Sequence, residues 1–304
     1  MKSTHAWVGA IFGATILISG LTGCSQMDGK NAVKVKSQHG ASYENSSNTI
    51  TQLATNTNKQ EPITFVLVHG AWADASFWDN AAAELRKQGH TVHAPEYAGH
   101  GSLYNPAVKH EDIVKSIVDY ITSKKLTNIA LVGHSFGGTV IQKVAEQVPD
   151  RINRLVFFDA FVPLDGQSLS DQLPTELQKV FGQLAQQSGN GTIKLPFAVF
   201  RDGFVNTASE SIAKSIYNKA KPEPGAPLVQ KLDLKKFYSL NIPKSYLFLT
   251  SDIVTPQGDK YGFHPAQSSH LGQFRLILGE GDHMTTAFEQ PGYLAQKLYE
   301  AARK

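Results

Sequence analysis

The sequence predicts an α/β protein: a mostly parallel, doubly wound sheet of about six strands with a helical cap inserted late in the chain. Three observations carry that expectation. Continuous β-branched runs of strand length alternate with segments of helical period. The alternation breaks once and then resumes. A G-x-S-x-G pentapeptide stands at one strand-to-helix junction.

In chain order, Ile63-Thr64-Phe65-Val66-Leu67-Val68 is continuously apolar, as a strand covered on both faces must be, and it ends in His69-Gly70. Phe77 to Gln88 reads as a helix stopped by Gly89, and His90 to Ala94 as a second strand closed by Pro95. Between Glu111 and Ser123, the residues Ile113, Val114, Ile117, Val118 and Ile121 recur at helical spacing. Asn128 to Val132 is a third strand, Gly137 to Val148 a helix ended by Pro149, and Arg154 to Phe158 a fourth strand. From 161 to about 242, prolines and helical pieces replace the rhythm without visible strand alternation, which marks the cap. The strands Lys244 to Leu249 and Gln273 to Leu278 follow, and a helix from about Pro291 to Ala302 closes the domain, which spans 61–304.

The N-terminal region is of a different kind. Lys2, an apolar stretch from Val8 to Ile18 and small residues up to Gly23 read as a secretory signal over 1–23, too short to span a bilayer comfortably. Leu21-Thr22-Gly23-Cys24 resembles a bacterial lipobox, which makes Cys24 the lipidated first residue of the mature chain. Residues 24–60 are mostly Asn, Ser, Thr, Gln and Lys and cannot bury enough surface to offset ordering entropy, so they are expected to act as a flexible tether. The expected location is the bacterial cell envelope, with the membrane reached through a lipid anchor. Cys24 is the one cysteine, which excludes an internal disulfide. The net charge of +3 comes with no basic block, so no nucleic-acid partner is expected.

Gly133-His134-Ser135-Phe136-Gly137-Gly138 carries the chemistry. Small residues on both sides of Ser135 allow a sharp turn that presents its hydroxyl at the top of the sheet. A serine hydroxyl needs a base to take its proton, and among 11 histidines His283 is the one between the last strand and the last helix. Asp252, just past the penultimate strand, is the preferred acid to orient the imidazole; Asp159, at the end of the fourth strand, is its rival. Asp282 is set aside as too near His283 along the chain. The oxyanion donors are expected at the N–H groups of Phe136 and Ala71, with Gly70 allowing close backbone approach. His69 and His134 are expected to serve packing or backbone hydrogen bonding, and His264 and His270 to be solvated. Neither G-x-x-x-x-G-K-[ST] nor H-E-x-x-H occurs, and the expected chemistry uses no metal and no cofactor.

Phe65 to Trp72, Gly133 to Gly138, Phe161-Val162-Pro163 and Gly281-Asp282-His283-Met284 together resemble the α/β-hydrolase branch that holds plant methyl-ester esterases, hydroxynitrile lyases and bacterial relatives. The resemblance covers 63–304. It implies the α/β-hydrolase fold, a mainly helical cap, and catalytic roles for Ser135, Asp252 and His283. The lyases of that branch place a lysine after the histidine, where this chain has Met284, and a hydroxyl residue where it has Gly70. Hydrolysis of a small apolar ester is therefore the leading expectation. A lyase or cofactor-free oxygenase on the same scaffold, or a ligand-binding lipoprotein, are the alternatives. Phe181, Phe197, Phe200 and Phe204 lead to the expectation of an apolar pocket under the cap, with the core of the cap itself as their alternative role.

Overall fold

The computed structural model describes residues 61–304. The signal segment, Cys24 and the tether lie outside the described residues. Among the described residues, no helix is long and apolar enough to cross a membrane.

Six strands form one parallel sheet in the order β2-β1-β3-β4-β7-β8. They are β1 (Thr64–Val68), β2 (Thr91–His93), β3 (Ile129–His134), β4 (Ile152–Phe158), β7 (Lys244–Leu249) and β8 (Arg275–Gly279). The chain starts near the middle, runs outward to β2, then crosses back through β3 to the far edge. The four central strands are buried on both faces, which is why they read as unbroken apolar runs. On edge strand β8 burial alternates, with Leu276 and Leu278 facing outward.

Helices α1 (Asp79–Lys87), α2 (His110–Ser123) and α3 (Gly137–Gln147) belong to the first half. The last helix, Pro291–Ala302, packs against α1 and against β4, β7 and β8, while α2 packs against α3. Helices therefore cover the sheet in pairs. Elements read from the sequence match in type and shift by one or two residues at their ends, with one refinement: Ala75–Trp78 is a 3₁₀ turn that precedes α1.

Between β4 and β7 lie α4 (Thr175–Gln187), α5 (Phe197–Phe204), α6 (Glu210–Tyr217), α7 (Ala226–Val229) and α8 (Lys235–Ser239). This cap is not purely helical. Two short strands, β5 (Thr192–Ile193) and β6 (Glu223–Pro224), pair antiparallel with Ile193 opposite Glu223. At two residues each they are too short to show any hydrophobic period. After β7 come α9 (Ala266–Ser269), α10 (Thr285–Glu289) and, as α11, the closing helix.

Candidate active site

Ser135 follows the last residue of β3 and precedes α3. Its φ of +54° lies in the left-handed region, which a non-glycine residue occupies only under constraint. Three backbone bonds supply that constraint. The Ser135 N–H donates to the Phe158 carbonyl at 3.1 Å, and its own carbonyl accepts from Gly138 at 3.0 Å and Phe161 at 3.1 Å. Glycine is needed around it for space. A Cβ on Gly133 would stand 2.5 Å from the Gly137 carbonyl oxygen, and one on Gly137 would stand 2.8 Å from the carbonyl oxygens of Val68 and His69.

His283 is buried in the loop between β8 and α10, and Asp252 is buried in the loop after β7. Their side chains meet: His283 Nδ1 lies 2.5 Å from Asp252 Oδ2. The other Asp252 oxygen accepts the Val254 N–H at 3.0 Å. An ionised carboxylate at this position fixes Nδ1 as the protonated nitrogen and leaves Nε2 as the one available to a neighbour. The imidazole is stacked on Phe263 at 5.5 Å between centroids, with the Phe204 ring set edge-on at 5.4 Å. His134, the residue before Ser135, packs its ring 4.5 Å from that of His283 and donates from Nε2 to the His283 carbonyl at 3.0 Å. Burial, and then the neighbouring His283, hold His134 well below the ordinary histidine range, so it is a neutral donor. The serine and histidine loops are thus brought together through the residue next to the serine.

Asp159, the rival acid, is fully buried at the end of β4 with φ +38°. Its Oδ1 accepts the Leu249 N–H at 3.0 Å and it makes no bond to the imidazole. Burial, and next the Asp252 carboxylate, raise its pKa well above the ordinary carboxylate range, which favours the neutral acid. Donor atoms of Asp159, Asp252 and His283 lie within 4.8 Å of one another, the composition of a possible metal cage. The 2.5 Å separation argues otherwise, because two donors about 2 Å from one tetrahedral ion stand roughly 3.3 Å apart.

On the other side of Ser135 is the loop after β1. A Cβ on Gly70 would come within 2.7 Å of Ser135 Cβ, so the close approach depends on glycine. The Gly70 carbonyl accepts from His69 Nδ1 at 2.9 Å and from the Tyr97 hydroxyl at 3.3 Å. In a trans peptide the N–H points opposite the carbonyl, so these bonds to Gly70 set the direction of the Ala71 N–H. Among the hydrogen bonds of the described residues, none uses the N–H of Ala71 or of Phe136. Both remain available as donors.

Two histidines differ from expectation. His264 and His270 are half-buried rather than solvated; their Nδ1 atoms bond Ser268 Oγ at 2.7 Å and the Val162 carbonyl at 2.6 Å. Asp282 does not face His283. It is buried and accepts from both N–H and hydroxyl of Thr207 and of Thr285, tying the histidine loop to the cap. Of the four cap phenylalanines, Phe204 is the one that reaches the site, since it touches both His283 and Trp72. The sequence assigns no role to Trp72, His100 and Glu223, and all three are buried at or beside the loop after β1.

Residues 65–302 match the Alpha/beta hydrolase family. An extracellular alpha/beta-hydrolase from a Paenibacillus species, described as sharing structural and functional homology with tobacco salicylic acid binding protein 2, is 62% identical and superposes with a TM-score of 0.79. That similarity covers 80% of this chain and 100% of the other. A carbendazim hydrolyzing esterase of Nocardioides sp. (strain SG-4G) is 42% identical over 116 residues, 37% of this chain and 48% of the relative. A putative chloroplastic methylesterase 15 of Arabidopsis thaliana is 26% identical over 235 residues, 69% of this chain and 53% of the relative. The chain therefore spans about half the length of these curated relatives. It belongs to the alpha/beta hydrolase family.

Proposed function

We propose that the chain hydrolyses a small carboxylic ester through an acyl-enzyme. The observation that carries this reading is the buried His283–Asp252 pair, bonded at 2.5 Å and packed against the residue that precedes a strained Ser135. His283 Nε2 takes the Ser135 proton as Oγ adds to the ester carbonyl, and Asp252 stabilises the imidazolium. The N–H groups of Ala71 and Phe136 hold the oxyanion of the tetrahedral intermediate. The imidazolium then returns the proton to the departing alcohol. A water molecule, deprotonated by the same nitrogen, releases the acid and restores Ser135. Relatives described as esterases support the substrate class.

A serine-directed fluorophosphonate should label Ser135 alone, and a panel of p-nitrophenyl esters should show a burst of phenolate followed by slower turnover. Equal labelling of a Ser135→Ala variant would sink the assignment. The lyase reading is disfavoured by two positions. Met284 offers no charge to a leaving cyanide, and a side chain at Gly70 would collide with Ser135.

We also propose that lipidated Cys24 anchors the enzyme to the bacterial cell envelope, on the support of the lipobox and the single cysteine. Acyl chains contribute ~0.8 kcal/mol per buried methylene, so two or more hold a protein stably. A Cys24→Ser variant should accumulate as membrane-associated precursor; normal cleavage and secretion of that variant would rule the anchor out.

A further inference from the structure

Trp72 directly follows Ala71 and sits at φ +57°, a conformation usually left to glycine or asparagine. What holds it there comes from the cap. Its backbone N–H donates to Glu223 Oε2 at 2.8 Å, and its indole N–H donates to the Ile193 carbonyl, also at 2.8 Å. Ile193 and Glu223 are the opposed residues of the β5–β6 ladder, so one short ladder grips both N–H groups of Trp72. The Glu223 carboxylate is 1% exposed and cannot draw on water for stabilisation. Its counter-charge is the equally buried His100, whose Nε2 lies 3.0 Å and 3.1 Å from the two Glu223 oxygens. The other nitrogen of His100 faces the Ala98 carbonyl at 3.3 Å. With acceptors on both sides, both nitrogens carry hydrogen and the ring is a cation.

We propose that Glu223 is a positioning residue for the oxyanion hole, with His100 as its counter-ion. By keeping Trp72 in the left-handed region, the carboxylate fixes how the preceding residue, Ala71, presents its N–H beside Ser135. The bond that matters for the loop is the charge-assisted one from the Trp72 backbone N–H to the Glu223 carboxylate, made directly at the residue that follows Ala71. The cap and the oxyanion hole are then one mechanical unit, although the two participants stand 151 positions apart in sequence. The proposal rests on the ester-hydrolysis reading above, and its test has one arm that does not.

The full-length protein and its Glu223→Ala and Glu223→Gln variants are compared in two measurements. In hydrogen–deuterium exchange, loss of the acceptor should speed exchange of the Trp72 amide by roughly tenfold or more in Glu223→Ala, leaving β3 unchanged. With p-nitrophenyl acetate, kcat per phosphonate-titrated serine should fall roughly ten- to a hundredfold while KM moves less than about threefold, because the donors act on the transition state. Glu223→Gln keeps an acceptor oxygen for Trp72 and should lie nearer the parent in both. If the alanine variant fails to fold, the glutamine variant decides, since a lowered kcat at constant KM is still expected of it. An unchanged amide, or a faster amide with unchanged kcat, overturns the proposal. Retained ester turnover in Ser135→Ala would strike the ester reading instead, and the exchange arm would still stand on its own.

Discussion

Two buried imidazole–carboxylate pairs flank Ser135, and they differ in what the second ring nitrogen meets. In His283–Asp252, Nδ1 faces the carboxylate at 2.5 Å, and among the described residues no hydrogen bond is made at Nε2. In His100–Glu223, Nε2 faces the carboxylate at 3.0 Å and Nδ1 faces a backbone carbonyl at 3.3 Å. That ring has no free lone pair. On the mechanism proposed above, the same two residue types make a base in one place and a fixed cation in the other. The His69 ring also has an oxygen at each nitrogen, with Nε2 2.9 Å from Glu96 and Nδ1 2.9 Å from the Gly70 carbonyl.

The sharpest way to break this comparison is to remove each imidazole. His283→Ala should lower ester turnover by roughly four to six orders of magnitude, and adding Ser135→Ala should cost little more because the two act as a unit. His100→Gln should lower kcat by no more than about a hundredfold, the range expected for disturbing one oxyanion donor. Comparable losses in steady-state kinetics would erase the distinction between base and fixed cation.

A smaller effect separates the two aspartates. Asp252→Asn presents an amide to Nδ1, which favours the wrong tautomer and should reduce kcat by about 10⁴-fold. Asp159→Asn should cost less than about tenfold, because an amide reproduces the neutral acid and can still accept the Leu249 N–H. The reverse ranking in kcat would move the orienting acid to the end of β4.

The expectations at Ser135 and His283 rest on local signals in the sequence. A glycine-flanked turn between an apolar run and a helix has one backbone solution, and the loop between the last strand and the last helix has one histidine. Asp252 and Asp159 both stand just past the ends of strands, so the sequence could prefer Asp252 but not dismiss Asp159; the side-chain geometry puts Asp252 on His283. Trp72, His100 and Glu223 were not legible. Glu223 sits between Pro222 and Pro224 and near Lys221, which reads as solvated loop. Its partner His100 lies 123 positions away, and nothing short of the fold brings them together. The β5–β6 ladder that carries Glu223 is shorter than any hydrophobic period.

The smallest effect, and the one that separates buried charges by pH, concerns thermal stability. Asp159 has a raised pKa from burial first and Asp252 second, so the folded protein keeps a proton that the unfolded chain gives up above about pH 4. Stability from this group therefore declines as pH rises from there toward the folded value. For His100, burial opposes the cation, but Glu223, aided by the Ala98 carbonyl and by Glu96, outweighs it and raises the pKa. Tyr97 and His69 complete the ring's surroundings. Its stabilisation is complete below about pH 6.5, the unfolded value, and is lost as pH rises through the raised folded value. The two windows are distinct. Asp159→Asn should flatten the decline of Tm with pH that begins near pH 4, and His100→Gln should flatten the decline that begins near pH 6.5. Scanning calorimetry at about one-unit intervals of pH reads both. If Asp159→Asn leaves the slope above about pH 4 unchanged, Asp159 is ionised in the folded protein, and the carboxyl beside Asp252 is a second charge rather than a neutral neighbour.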